Sequence, residues 1–307
     1  MTAPRIAFTT PSQAAAWKRW LWYSPVARIV LFSLTMVVLG FGAHLMLPPA
    51  AETGGGADAM LHAPWRYLLG QTLPIVLAYL LLVYLVERRR PRELAWRDLP
   101  VRGAAGLIGG VILFSLIVGI LWLLGSYHVT GTNPGAHWGA QVLVVGIGAG
   151  IGEEILMRGV LYRIVEEGIG TWWALAISAF VFGFMHMGNP AATAWSSAAI
   201  AIEAGILFGL VYHVTRSLWT CIGLHAAWNI MQGTVYGIPV SGTDADGFLV
   251  STRTGPDWLT GGAFGAEASV VALICCCLLS AALMRVMIRR GTTLAAAGKR
   301  ATAAATG

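Results

Sequence analysis

The chain has 307 residues, of which 57% are hydrophobic and only 11% charged, with a mean hydropathy of +0.70. That is too few charges to cover a soluble globule of this size, which leaves a protein that crosses a membrane several times. The net charge of +6 comes from 18 Arg and 2 Lys against 14 acids, but the basic residues cluster beside apolar spans. That is the pattern of membrane orientation, and it excludes nucleic acid as the expected partner.

Residues 1–25 bring Arg5, Lys18 and Arg19 together with Trp17, Trp20, Trp22 and Tyr23, a basic and aromatic approach to a membrane surface. Pro25 to Leu47 is longer than the apolar region of a signal peptide and reads as an uncleaved first span. The loop 48–64 holds Glu52 and Asp58 and no Lys or Arg, which makes it the outer side. Span two, about Tyr67 to Val86, ends in the run 87–92 with Arg88, Arg89, Arg90 and Arg92, the strongest inner-side signal in the chain. Span three covers about Gly103 to Leu124, and Asn133-Pro134-Gly135 marks the following turn. Span four begins near Trp138 and emerges at Arg163, Glu166 and Glu167. Spans five (Trp172 to Met187), six (Trp195 to Val214), seven (Leu218 to Val235) and eight (Ala268 to Met287) follow, and the last residues, from Thr292, are expected to fray. The expected fold is all-α, a polytopic transmembrane bundle of about eight spans with both ends on the inner side. Its parts are an N-terminal segment 1–25, three spans over 26–137, a four-span core over 138–235, an outer loop 236–267, and a last span and tail over 268–307. Cys221, Cys275, Cys276 and Cys277 lie in apolar segments without metal-type spacing and read as packing residues.

The stretch 152–159, Gly-Glu-Glu-Ile-Leu-Met-Arg-Gly, places two carboxylates and a guanidinium inside span four. Ionisable groups at membrane depth are costly and mark function by default. Glu154 and Arg158 stand at i and i+4 and neutralise each other, whereas Glu153 points about 100° away without that partner. A desolvated carboxylate without a counter-charge suits general-base chemistry, so Glu153 is the expected chemical residue. Depth along the helices extends the site. Glu154 lies 14 residues before the turn at Gly168 and His186 lies 18 after it, which at 1.5 Å per residue is roughly 21 and 27 Å. Around the turn at Arg216, Glu203 and Asn229 are each 13 residues away and His225 is 9, or roughly 20, 20 and 14 Å. Four spans therefore place Glu153, Glu154, His186, Glu203, His225 and Asn229 in one layer. For Glu203 the reading leaves open packing, substrate contact or an ionised group in a wet cavity.

None of the seven histidines is followed by Glu, so HExxH is absent, and neither the GxSG of rhomboid-type proteases nor the presenilin-type GxGD is present. The chain does contain Glu153-Glu154-x-x-x-Arg158, Phe182-x-x-x-His186 and His225-x-x-x-Asn229 in that order on successive apolar segments. These motifs resemble the CPBP family, the CAAX-protease and bacteriocin-processing (Abi) group of intramembrane endopeptidases, over about residues 138–235. The resemblance implies that Glu153 and His186 activate water while His225 and Asn229 support the oxyanion, with Glu154 and Arg158 completing the catalytic set. Phe182, Trp228 and Glu203 are the expected substrate contacts. No cofactor is favoured; a zinc-dependent version would use Glu153, His186 and His225, but Asn229 is a poor zinc ligand, and a metal-bound Glu153 would leave Glu154, already paired with Arg158, as the only nearby base.

The expected substrate is a membrane-associated protein or peptide, prenylated or bacteriocin-like, reached from a cavity open to the inner side of a bacterial inner (plasma) membrane. Trp172, Trp173, Trp195 and Trp228 offer an acyl or prenyl slot, although interfacial packing is the commoner role of such residues. The competing readings are a non-catalytic scaffold and a proton-coupled transporter using the Glu/His cluster. The inverted repeats of many transporters are not found. Oligomeric state is not readable from the sequence.

Overall fold

The computed structural model describes residues 6–47 and 63–298. The acidic outer loop expected over 48–64 therefore falls almost wholly outside the described residues, as do Arg5 and the tail from Lys299 onward. Long Leu, Val, Ile and Ala runs without interior charge form helices because helical hydrogen bonding is the way a single segment satisfies its backbone in lipid. A short interfacial helix α1 (Ala16–Leu21) leads to α2 (Pro25–Met46), which is started by the Ser24 side chain accepting from the Ala27 N–H and by Pro25 in the first turn. Then come α3 (Pro64–Val86), α4 (Trp96–Leu123), α5 (Trp138–Ile169), α6 (Thr171–Gly188) and α7 (Ala194–Thr215). Next are α8 over 218–235, the short α9 (Asp257–Thr260) and α10 (Val270–Arg289). The all-α bundle read from the sequence is borne out; most span ends lie within three residues of their expected places, and α4 begins at Trp96 rather than near Gly103.

Seven of these helices, α2 to α7 and α10, are long and apolar enough to cross a membrane. Expected span seven, α8, is not among them, and its burial explains how it can be less apolar. Residues 221–229 are buried without a break, so α8 is enclosed by its neighbours and can carry His225, Asn229 and Gln232 that a lipid-facing helix could not. Its closest neighbour is α4. A Cβ on Gly223 would lie 2.4 Å from the Gly103 carbonyl oxygen, and one on Gly106 would lie 2.2 Å from that of Thr220, so the two backbones touch through glycine. α2 is the opposite case, a peripheral helix with Val30, Leu34, Val37, Val38 and Phe41 exposed to lipid.

At one end of the bundle the charges are paired rather than solvated. Arg163, Glu166 and Glu167, expected to emerge at the surface, are buried. Glu87 accepts from Arg28 (2.8 Å), Arg89 (2.7 Å) and Arg163 (2.9 Å), and Glu93 from Arg89 and Tyr79 (both 2.7 Å). The surrounding guanidiniums outweigh burial and hold Glu93, in the loop between α3 and α4, down at about 2. The N–H groups of Ala7 and Phe8 donate to Glu167, and Leu294 exchanges hydrogen bonds with Thr171. The two described ends of the chain thus meet at this face, and the start of the tail is pinned rather than frayed. At the other end β1 (Tyr127–Thr132) and β2 (Leu249–Arg253), which the sequence reading treated as loop, pair antiparallel with Tyr127 opposite Arg253.

Candidate active site

The two glutamates sit midway along α5, and the helix sends them in different directions. Glu154 is fully buried, and its Oε1 accepts from Arg158 Nη1 at 2.9 Å and from His225 Nδ1 at 2.8 Å. The i, i+4 pair expected from the sequence is present, and the histidine of α8 completes it as a triad. Arg158 also donates from Nη2 to the Ala204 and Gly205 carbonyls, and its guanidinium lies against the rings of Phe182 and Phe208 at 5.2 and 5.4 Å. Glu153 leaves this network. Its side chain is 32% exposed, its Oε2 stands 3.9 Å from His225 Nε2, and that oxygen has no hydrogen-bond partner.

Hydrogen-bond chemistry fixes both histidines. A carboxylate and a carbonyl only accept, so His225 Nδ1 carries a proton toward Glu154, and His186 Nδ1 carries one toward the Phe182 carbonyl at 2.8 Å. In both rings Nε2 is left for other partners. Asn229 donates one Nδ2 hydrogen to the Val145 carbonyl at 2.8 Å, which ties α8 to α5 and leaves the second hydrogen unassigned. π-helical turns adjoin these positions: 155–162 follows Glu154, 201–206 contains Glu203 and 230–235 follows Asn229.

A cavity of ≈ 30 Å³, about the room one water occupies, is lined by Phe182, His186, Glu203, His225, Trp228 and Asn229. All six were singled out by the sequence, and Glu153 and Glu154 reach it through His225. The lining also includes residues the sequence reading missed, Phe208, Ser241 and Glu267, the last two beyond 138–235. Glu267 precedes α10, accepts from the Ser241 N–H and is fully enclosed; burial pushes its carboxyl up to about 7. The one available signal was an acid beside the start of an apolar span, which was read as part of the outer loop. Because Ser241 and Glu267 come from that loop, the cavity lies toward the end away from the paired charges. Gln232 Nε2 holds the Pro239 carbonyl at 2.6 Å and Trp195 Nε1 the Ala268 carbonyl at 2.8 Å. Trp172, Trp173 and Trp195 are exposed, so the four tryptophans do not form a common slot and only Trp228 reaches the cavity.

Among the described residues no three His, Cys, Asp or Glu side chains converge as a metal set. Glu153, His186 and His225 are thus not assembled as a metal set, although each imidazole donates from Nδ1 to a protein acceptor and keeps Nε2, the nitrogen through which it could ligate.

The bundle thus brings Glu154, Glu203, His225 and Asn229, all buried, together with the half-buried Glu153 and His186 into one region of its apolar interior. Residues 135–231, about a third of the chain, match the family model described as Rce1-like, type II CAAX prenyl endopeptidase Rce1-like. That match runs from the approach to α5 into α8 and bears out the resemblance drawn from the three motifs, to a family of CAAX-type intramembrane endopeptidases. Neither the curated proteins nor the solved structures gave a match to this chain.

Proposed function

We propose that this protein hydrolyses a peptide bond of a membrane-associated protein, prenylated or otherwise lipid-embedded, without a metal ion. The observation that carries the reading is that His186, His225 and Asn229 line one small cavity while Glu153 stands 3.9 Å from His225 Nε2, the four coming from three helices of the family-matched segment.

Each role follows from which atoms are already used. His186 spends Nδ1–H on Phe182, so its Nε2 is an acceptor, and Glu153 Oε2 is an acceptor without a donor. A water between them gives one hydrogen to each and turns a lone pair toward the substrate carbonyl. Glu153 takes the proton as the C–O bond forms, and the carbonyl oxygen gains the negative charge. His225 Nε2–H and the second Asn229 Nδ2–H are the donors for that oxyanion. Collapse breaks the C–N bond, and Glu153 returns its proton to the leaving amine. For His225 to donate from Nε2 while Nδ1–H serves Glu154, the ring must be an imidazolium. Two carboxylates, Arg158 and this ring then sum to zero charge, which the low-dielectric interior favours.

The test compares membrane-proteome termini of cells carrying the wild-type protein with cells carrying Glu153→Gln at equal folded abundance. New termini that depend on Glu153 are expected. Indistinguishable sets would overturn the peptidase reading in favour of a scaffold.

A further inference from the structure

Glu203 has no part in the mechanism above, yet among the described residues it is the one carboxyl group with both oxygens buried and unpartnered. It lies on α7 with 2% of its surface exposed, and neither carboxyl oxygen has a hydrogen-bond partner. A carboxyl group in that condition has given up its hydrogen bonds to water and gained none in return. The nearest guanidinium does not relieve it, because Arg158 is committed to Glu154 and to the Ala204 and Gly205 carbonyls.

Glu203 and Glu267 both line the cavity that holds His186, His225 and Asn229, and among the described residues no Lys or Arg lines it. Glu267 is also buried, with Ser241 N–H its backbone donor. The space therefore presents two carboxyl groups on the α7 and α10 side and imidazoles on the other. Its complement is a positively charged group with several hydrogens to donate. A primary ammonium suits it best, a compact point charge with three rotatable hydrogens for two carboxyl groups on one wall, where a guanidinium presents a rigid planar fork.

We propose that Glu203, with Glu267, forms a subsite for a primary ammonium group of the substrate, a lysine side chain or a free α-amine near the scissile bond. This rests on the peptidase reading for the word substrate, but the binding step does not. The ammonium donates hydrogen bonds to the unpartnered Glu203 oxygens and supplies the counter-charge the cavity lacks, so binding is strongest where the unliganded site is most strained.

Binding is tested first, with butylammonium chloride as the probe and butanol as its neutral counterpart, on the purified full-length protein in nanodiscs. A ligand that binds only the folded state raises the unfolding temperature by mass action. Butylammonium at about ten times its Kd is expected to raise Tm by ~3 °C in the wild type and in Glu153→Gln, and not in Glu203→Gln. Butanol is expected to do nothing. An equal shift in Glu203→Gln, or an equal shift from butanol, overturns the subsite, and because Glu153→Gln retains it, that result is independent of catalysis. The second arm uses a peptide spanning a Glu153-dependent cut. Acetylating its lysine, or alternatively its α-amine, is expected to slow wild-type cleavage at least tenfold and Glu203→Gln cleavage less than twofold, which identifies the source of the ammonium. If Glu203→Gln slows native and acetylated peptides equally, Glu203 is structural and the proposal fails even though the peptidase reading stands.

Discussion

Glu154 offers the sharpest separation of folding from chemistry, because one oxygen serves Arg158 at 2.9 Å and His225 at 2.8 Å, and all three side chains are buried. In Glu154→Gln the amide oxygen still accepts from one of them, but the guanidinium of Arg158 loses its only carboxylate. Breaking a buried pair from one side costs about 3–5 kcal/mol. For a chain of this size that is a fall in Tm on the order of 10 °C. Replacing both partners by apolar groups of similar volume, as in Glu154→Leu with Arg158→Met, removes the uncompensated charge and is expected to regain most of the lost stability. Activity is expected to behave differently. Both variants remove the carboxylate that holds His225 Nδ1–H and balances an imidazolium, and loss of one oxyanion donor costs about 10²–10³ in kcat. The assay pairs thermal unfolding in nanodiscs with cleavage of a peptide taken from a Glu153-dependent site. If the double variant regains cleavage along with stability, Glu154 does no more than pair with Arg158. If Glu154→Gln unfolds at the wild-type temperature, the pair is not structural.

Glu267 predicts a pH dependence of stability. Its carboxyl stands at about 7 in the fold against an ordinary 4.5, so the folded state keeps a proton the unfolded state releases. The contribution is fully present below about pH 4.5 and is lost as pH rises through about 7, about 3 kcal/mol in all. Glu267→Gln keeps an acceptor for Ser241 N–H and removes the titration, so its Tm between pH 4.5 and 8 is expected to exceed the wild type increasingly; parallel profiles would contradict this. Gly223→Ala forces a Cβ to 2.4 Å from the Gly103 carbonyl and is expected to cost about 3 kcal/mol, the upper end for overpacking, since backbone lies on both sides. Gly119→Ala, on α4 with nothing within 4 Å, is the control, expected to be neutral or stabilising by up to about 1 kcal/mol; equal losses at both positions in thermal unfolding would show that helix contact is not the cause. Peptide cleavage is expected to persist after exhaustive dialysis against chelator, and loss restored by added zinc would replace the glutamate mechanism with a metal one.

The spans were legible because hydropathy is a property of each segment alone. The site was legible because a helix converts sequence distance into depth, which put Glu153, Glu154, His186, Glu203, His225 and Asn229 in one layer before their neighbours were known. Direction was less accessible. That Glu154 faces His225 as well as Arg158 depends on how α5 and α8 are rotated against each other, and this is set by their packing and by glycine contacts such as Gly106 and Gly223 across α4 and α8. Glu267 and Ser241 were out of reach for a different reason: they arrive through a loop, where no periodicity records which way a side chain turns. The burial of Arg163, Glu166 and Glu167 was misread because a charge at a span end looks the same in sequence whether it meets water or another charge.

The two ends of the bundle treat buried carboxylates in opposite ways, and the contrast bears on which of them do chemistry. Glu87 and Glu93 are met by Arg28, Arg89, Arg163 and Tyr79, Glu166 by Arg216, His213 and Thr171, and Glu167 by Arg28, Arg163 and two backbone N–H groups. Among the described residues, every buried carboxylate oxygen without a partner belongs instead to Glu153, Glu154 or Glu203. Lipid cannot satisfy such an atom, so a fold that had to minimise this cost could pair these three as it pairs the others. It pairs one oxygen of Glu154 twice, leaves one oxygen of Glu153 without a partner 3.9 Å from His225, and leaves both oxygens of Glu203 bare on the cavity wall. Charges that only hold helices together need partners from the protein, whereas charges that act on a substrate must keep a lone pair for it. By that criterion Glu87, Glu93, Glu166 and Glu167 are structural, Glu153 and Glu203 are the acids left for the roles proposed above, and Glu154 stands between the two groups through its bond to His225.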